Sequence, residues 1–221
     1  MLAKELISDL IPPLKTSDTG LKALSMMEIF RISHLPIVNN LEFLGLISDT
    51  DIYDMNMADE PIGNHQLSLF SPYVTSDQHI FEVIELVGRL KLTVVPVLDE
   101  KKNYLGLIMM SDLLQHFADL AALKNPGAII ILEMNIADYS LTEISNIIEG
   151  NDGKILSLYI SQPIDSTKIE VTLKINRTEI SSFIQTLTRY NYIVKASYME
   201  SGELNSLFES RYESFMRYLN V

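Results

Sequence analysis

The feature that most restricts how this chain can fold is that its first half is written twice. Leu10-Ile-Pro-Pro13-Leu-Lys-Thr16-Ser17-Asp18 aligns with Leu69-Phe-Ser-Pro72-Tyr-Val-Thr75-Ser76-Asp77 at a spacing of 59, and five of the nine pairs are identical. His34-Leu-Pro36-Ile-Val38 aligns with Val94-Val-Pro96-Val-Leu98 at 60, and Leu44-Gly45-Leu-Ile47 with Asp51-Ile52 aligns with Leu105-Gly106-Leu-Ile108 with Asp112-Leu113 at 61. A unit of about sixty residues that keeps its order through single-residue insertions predicts two similar supersecondary units side by side. Each copy reads as a short extended segment ending in Thr-Ser-Asp, which is good capping chemistry, and then a helix. The helix carries Leu21, Leu24 and Met27 in the first copy and Ile80, Val83 and Leu86 in the second. Two apolar strands follow, Leu35 to Val38 and Phe43 to Ile47, joined at Asn39-Asn40, with counterparts at Val94 to Leu98 and Tyr104 to Ile108. A closing helix begins near Asp49 and again near Ser111.

Composition narrows the partners. The 221 residues are 47% hydrophobic and can fill two or three cores, yet no stretch approaches the roughly 20 apolar residues of a membrane span. Met1 to Leu14 mixes Lys4, Glu5 and Asp9 with apolar residues at helical spacing, unlike a secretory signal, so the expected location is cytoplasmic. With no cysteine, disulfides, thiolate nucleophiles and cysteine zinc sites are excluded. The net charge is -12, and residues 1 to 120 hold 8 Lys and Arg against 17 Asp and Glu. That balance argues against nucleic acid and anionic membranes as partners, because both are bound through clustered cations.

The order of elements, with His34-Leu-Pro-Ile-Val-Asn39 and Gly45-Leu-Ile-Ser-Asp-Thr-Asp-Ile52, resembles the CBS domain, a regulatory module that occurs in tandem pairs. The resemblance covers residues 1 to about 120 and divides them into a first domain at 1–60 and a second at 61–123. It implies a disc with two clefts for an adenosine-containing ligand of the AMP, ATP or S-adenosylmethionine class, with no cofactor required. By that resemblance Ser48 and Asp51 hold the ribose and phosphate side, with Thr50, His34, Leu35 and Pro36 around them and Asp112 and Ser111 in the second cleft. A carboxylate can accept from both ribose hydroxyls, and a helix start points free N–H groups at phosphate. The same Ser48-Asp49-Thr50-Asp51 run also has the spacing of a helix cap, and the two roles can coexist. Met109 stands where Ser48 stood, so the resemblance implies unequal clefts, the first being the better site. Lys22, Arg31, His34, Arg89 and Lys91 are the cations available for phosphate. Asp49, Asp51, Asp54, Asp59 and Glu60 make a triphosphate costly without Mg²⁺ and a monophosphate or sulfonium nucleoside easier.

After Lys124-Asn-Pro-Gly127 the pattern changes. Strands are expected at Ala128 to Met134, Lys154 to Ile160, Ile169 to Ile175 and Tyr192 to Tyr198. One helix opens at a capping box, Ser140-Leu-Thr-Glu143, carries Ile144, Ile147 and Ile148 and stops at Gly150; a second carries Ile180, Phe183, Ile184 and Leu187. The fold class expected is α/β and α+β: a tandem CBS pair, then a ferredoxin-like βαββαβ domain over 127–200 that resembles the ACT domain, as in acetoin-utilisation-type CBS-ACT proteins. Amino-acid-binding ACT domains often have a Gly between the first strand and helix, where this chain has Asn135-Ile-Ala-Asp138-Tyr139. Pairing of sheets between subunits, and hence a homodimer, is the expected role. An amphipathic helix is expected over 203–221, through Leu204, Leu207, Phe208, Phe215, Met216 and Leu219.

His34, His65, His79 and His116 have no metal-ligand spacing, and no Gly-rich phosphate loop or Gly-x-Ser-x-Gly elbow is present, so no catalytic or metal residue is expected. Two functions stand: a non-enzymatic adenosine-ligand sensor coupled to domain or subunit arrangement and to an unknown protein target, or a dimeric scaffold that has lost its ligand.

Overall fold

The computed structural model describes residues 1–55, 58–65, 69–163 and 167–199. The chain divides into two compact units, Met1–His116 and Phe117–Val221.

In the first unit the repeat is visible element by element. The first copy contains α1 (Gly20–Phe30), β1 (His34–Asn39), β2 (Glu42–Ser48) and α2 (Asp49–Asp54). The second contains β3 (Val74–Thr75), α3 (Ile80–Leu90), β4 (Val94–Leu98), β5 (Tyr104–Met109) and α4 (Met110–Leu120). The hairpin β1–β2 is antiparallel with a register shift at Ile37/Val38, and β4–β5 repeats it with the shift at Val97/Leu98. A third segment runs parallel to each hairpin: Val74 beside Val97, and, as a single bridge, Leu14 beside Ile37.

The spacing of the two helices corrects the alignment. Helix N-caps are Thr19 and His79, and left-handed C-caps are Arg31 (φ 54°) and Lys91 (φ 54°), a spacing of 60 at both ends. The turn before each helix keeps that spacing: Asp18 Oδ2 accepts from Lys15 N at 2.8 Å, and Gln78 Oε1 accepts from Thr75 N at 2.7 Å. The Thr-Ser-Asp identity is therefore one residue out of structural register, and those residues form the turn, while the caps lie beyond them. The buried face of α1 is Gly20, Ala23 and Met27, matching Ile80 and Val83 of α3, whereas Leu21 is 56% exposed.

What joins the copies is a reciprocal exchange of their lead-in segments. Residues before the first copy cross to the second: Ala3 N donates to Gln78 O, Ile80 N to Met1 O, and Ser8 N to Leu107 O at 2.8 Å. Residues before the second copy cross to the first: Leu21 N donates to Ala58 O, Gly63 N to Thr16 O, and Leu46 N to Phe70 O at 2.8 Å. Gly45 and Gly106 lie where the crossing segments press on β2 and β5. Their φ values of +152° and +153° disfavour any side chain, and an added Cβ would lie 2.6 Å from Leu69 Cβ and 2.4 Å from Ile7 Cγ2. Ala3, Leu6, Leu14, Leu35, Ile37, Ile47, Val95, Val97, Leu107 and Ile108 then share one core that spans both copies.

The second unit is the βαββαβ arrangement: β6 (Ala128–Asn135), α5 (Leu141–Gly150), β7 (Ile155–Ser161), β8 (Lys168–Ile175), α6 (Ser181–Arg189) and β9 (Ile193–Tyr198). The sheet order is β7-β8-β6-β9, all neighbours antiparallel, as a ferredoxin-like fold requires. Alternate residues of β6 and β8, Ala128, Ile130 and Leu132 with Val171, Leu173 and Ile175, are buried with Ile144, Ile148, Phe183 and Leu187 of the two helices. Phe183 packs on Gly153, where an added Cβ would lie 2.6 Å from the ring. The capping box at Ser140 is only half formed. Ser140 Oγ accepts from Glu143 N at 3.3 Å, but Glu143 Oε2 accepts from Tyr192 Oη at 2.7 Å instead of reaching back to the cap. The boundary between units falls within α4, ahead of the Lys124–Gly127 turn, and Ser157 Oγ donates to Ala121 O at 2.9 Å. The helix expected over 203–221 lies outside the described residues.

Replacing Gly106 with Ala should lower the unfolding free energy by about 2–4 kcal/mol, from the φ it must adopt and the contact with Ile7. Urea unfolding of both proteins checks this, and Gly88→Ala, at a glycine with open space, is the control.

Candidate functional site

The residues expected to line the first cleft come together at the open end of the β1–β2 hairpin. His34 and Ser48 sit opposite each other in the strand register, so the residues that begin β1 and end β2 are brought together by the pairing alone. Ser48 caps α2, with Asp51 N donating to Ser48 Oγ at 3.1 Å. Ser48 N and Oγ both donate to Asp51 Oδ2, at 2.8 and 2.7 Å. The predicted ligand pair is thus also a reciprocal cap, which keeps one carboxylate oxygen on Ser48. Thr50 turns to Asp49, whose Oδ1 accepts from Thr50 N at 2.7 Å. Leu35 and Pro36 are buried, Leu35 within the shared core, and Pro36 O accepts from Leu14 N.

Two features alter the expected electrostatics. α2 has only six residues, and the Asp51 N–H is already bonded to Ser48, which leaves little of a helix N-terminus for an anion. Of the cations considered, Lys22 pairs with Asp18 at 2.7 Å and Arg89 with Glu85 at 2.9 Å, while Arg31 and Lys91 terminate helices. His34 remains beside the acidic turn. Burial lowers its pKa from the ordinary value, against the opposing pull of Asp49 and Asp51.

The second copy does not reproduce the cap. β5 ends at Met109, α4 starts at Met110, Asp112 lies in its first turn, and Ser111 Oγ approaches Asp112 Oδ1 at 3.4 Å. The two hairpin ends are chemically unequal, the first holding the reciprocal Ser48–Asp51 cap and the second only the longer Ser111–Asp112 contact.

Residues that sequence reasoning missed lie where the copies meet. Thr93, just before β4, accepts from Ser33 N at 3.0 Å and contacts His34 Nδ1 at 3.1 Å. Ser33 O in turn accepts from Asp49 N at 3.2 Å, so a chain of polar contacts leads from the second copy to the α2 turn. Phe43 and Tyr104, equivalent residues of β2 and β5, stack with ring centroids 6.5 Å apart. The Tyr104 hydroxyl is buried without a hydrogen-bond partner among the described residues, and burial raises its pKa. The available signal was positional: Ser33 and Thr93 are hydroxyl residues at the same place in each copy.

A cavity of about 600 Å³ opens beside α2, walled by Leu21, Leu24, Met27 and Ile32 with Asp49 and Tyr53; Ser48 and Asp51 are not among its walls. Among the described residues no cluster of His, Asp or Glu could hold a metal, and no helix is long and apolar enough to cross a membrane.

Two measurements follow from this geometry. Ser48→Ala should cost about 1 kcal/mol of stability through loss of the cap, whereas Ser111→Ala should change it by less than about 0.5 kcal/mol; denaturant unfolding compares them. His34 is harder to protonate folded than unfolded, so below about pH 6.5 the unfolded chain binds more protons. Stability should hold above that pH and fall as the pH drops through the lower folded value, and His34→Gln should flatten the slope in that window.

Comparison with known proteins gives the CBS domain as the matching family model, over residues 3–58 and 61–119. Similar solved structures include a CBS domain pair/ACT domain protein from Thermotoga maritima, 21% identical, with 54% of this chain and 98% of that one covered at a TM-score of 0.48. CBSX2 in complex with AMP is 14% identical, covering 53% and 96% at 0.46. A CBS domain pair in complex with 5′-methylthioadenosine and S-adenosyl-L-methionine is 21% identical, covering 54% and 97% at 0.43.

Proposed function

Since this chain belongs to the CBS domain family, whose domain pairs are generally regulatory rather than catalytic, we propose that it is a non-enzymatic sensor of an adenosine-containing ligand. The ligand class is AMP, ATP or S-adenosylmethionine, and the first cleft is the principal site. The observation that carries the reading is the meeting of His34, Ser48 and Asp51 at one hairpin end. There Asp51 Oδ2 is held by Ser48, and its other oxygen accepts no hydrogen bond from the described residues, so it can take a ribose hydroxyl. The acidic turn favours a ligand of low negative charge, a monophosphate or a sulfonium nucleoside, over a triphosphate without Mg²⁺. In the second cleft Asp112 and Ser111 make the weaker site.

The sensor's domains are 1–60 and 61–123 for the pair, 127–200 for an ACT-like domain, and 203–221 for a terminal helix. The ACT-like domain pairs sheets in a homodimer. In support, β7 and β9 are edge strands of the described sheet, with Tyr159, Ile160 and Tyr198 exposed along them. Ligand changes the arrangement of domains or subunits only if it binds the two arrangements with different affinity. The setting is cytoplasmic, and the target that receives the signal is a protein.

Thermal-shift titration with AMP, ADP, ATP and S-adenosylmethionine, with and without Mg²⁺, tests this. At about a hundred times its dissociation constant, a ligand should stabilise the protein by roughly 2.7 kcal/mol. Asp51→Ala should abolish the shift and Asp112→Ala should weaken it less. No shift with any ligand, confirmed by calorimetry, would favour a dimeric scaffold.

A further inference from the structure

We infer that Thr93 of the second copy is a positioning residue for the first cleft: its hydroxyl accepts from Ser33 N–H, donates to Nδ1 of His34, and so fixes that imidazole as the tautomer protonated on Nε2. This rests on the reading of the first cleft as the ligand site only for its purpose; the tautomer is a property of the protein alone.

The argument is hydrogen-bond accounting. A threonine hydroxyl has one hydrogen and two lone pairs. The Ser33 amide, at 3.0 Å, can only donate, so it occupies one lone pair. If Nδ1 carried a proton, that bond would fill the second lone pair, and the hydroxyl hydrogen would need a third partner. Thr93 Oγ1 has no such acceptor in the hydrogen bonds of the described residues. If Nδ1 is bare, the hydroxyl hydrogen points at it across 3.1 Å, and every group in the triad is satisfied. The neutral ring then carries its proton on Nε2, free to act as a donor at the cleft.

The surroundings agree. Asp49 and Asp51 of α2 are the charged groups acting on the ring; β2 contributes the uncharged Ser48 opposite it, and the stretch before β4 contributes Thr93. Protonating Nδ1 would reverse the Thr93 bond and leave its hydrogen without a partner, which opposes the attraction of the two carboxylates. The device is one-sided. The equivalent of His34 is Val94, which has no ring nitrogen for Ser33 to engage. Only the first cleft is braced by the other copy in this way.

Proton–nitrogen correlation spectra of the His34 ring in the ligand-free protein provide the test. The expected result is a bare Nδ1, a protonated Nε2, and a titration midpoint below about 6.5. Thr93→Val keeps the shape and removes the hydroxyl, so His34 should sample both tautomers and titrate roughly half to one pH unit higher. Thr93→Ser should restore the wild-type spectrum, which a merely space-filling role would not require. A wild-type ring protonated on Nδ1 overturns the assignment, even if the Val variant fails to fold. So does an unchanged midpoint in a folded Val variant. AMP titration of the same samples separates this from the sensor reading: a locked tautomer in a protein that does not bind AMP supports the role of Thr93 and counts against AMP as ligand. If AMP binds, its affinity should fall several-fold in the Val variant and recover in the Ser variant.

Discussion

The first unit depends on the exchange of lead-in segments between its two copies. A two-stranded hairpin with one helix on either side cannot bury enough apolar surface to stand alone. Here each copy borrows what precedes the other: residues near Ser8 complete β5, and residues near Phe70 complete β2. Gly45 and Gly106 are the points at which that crossing is possible, because a side chain at either would occupy the path of the incoming strand. The shared core follows from the crossing, and so does the meeting of Ser33 and His34 with Thr93.

The same economy shapes the cleft. Its polar groups are not waiting unsatisfied: Ser48 and Asp51 hold each other, Thr50 holds Asp49, and His34 leans on Thr93. Such a site is preorganised, since the groups that would meet a ligand are already fixed by bonds among themselves. In the proposed sensor, selectivity comes from which of those bonds a ligand can extend without breaking. Asp51 keeps one oxygen without a hydrogen bond among the described residues, while in the other copy Met109 stands in the place of Ser48 and cannot hold Asp112 in the same way.

The sequence was most informative where periodicity and position agree. The strands His34–Asn39 and Lys168–Ile175, and the helix Leu141–Gly150, are close to their expected spans because their apolar spacing leaves one face to bury. It misled where identity was taken for equivalence. Thr-Ser-Asp recurs at 59, but the turn hydrogen bonds and caps recur at 60, since backbone geometry accepts Asp18 and Gln78 in the same role. Leu21 reads as core and is exposed, while Ala23 is buried and Gly20 lies under Ile52 and the crossing segment at Ala58, where little space remains for a larger residue. Glu143 has cap spacing but answers to Tyr192, a partner 49 residues away that local pattern cannot reveal. The Ser48–Asp51 cap was legible from its spacing; the contact of Thr93 with His34 was not, because its partner lies in the other copy.

The crossing also has a consequence in time. The chain emerges from its N-terminus, yet Ser8 finds its strand partner only at Leu107, about a hundred residues later. The first copy can be fully synthesised, with α1, β1 and β2 all present, and still lack Phe70 on β2 and Thr93 beside His34. Closing such long loops costs entropy before any contact repays it, so the order of events is set by topology more than by local propensity. The first copy therefore cannot complete its strand pairing until the second has left the ribosome.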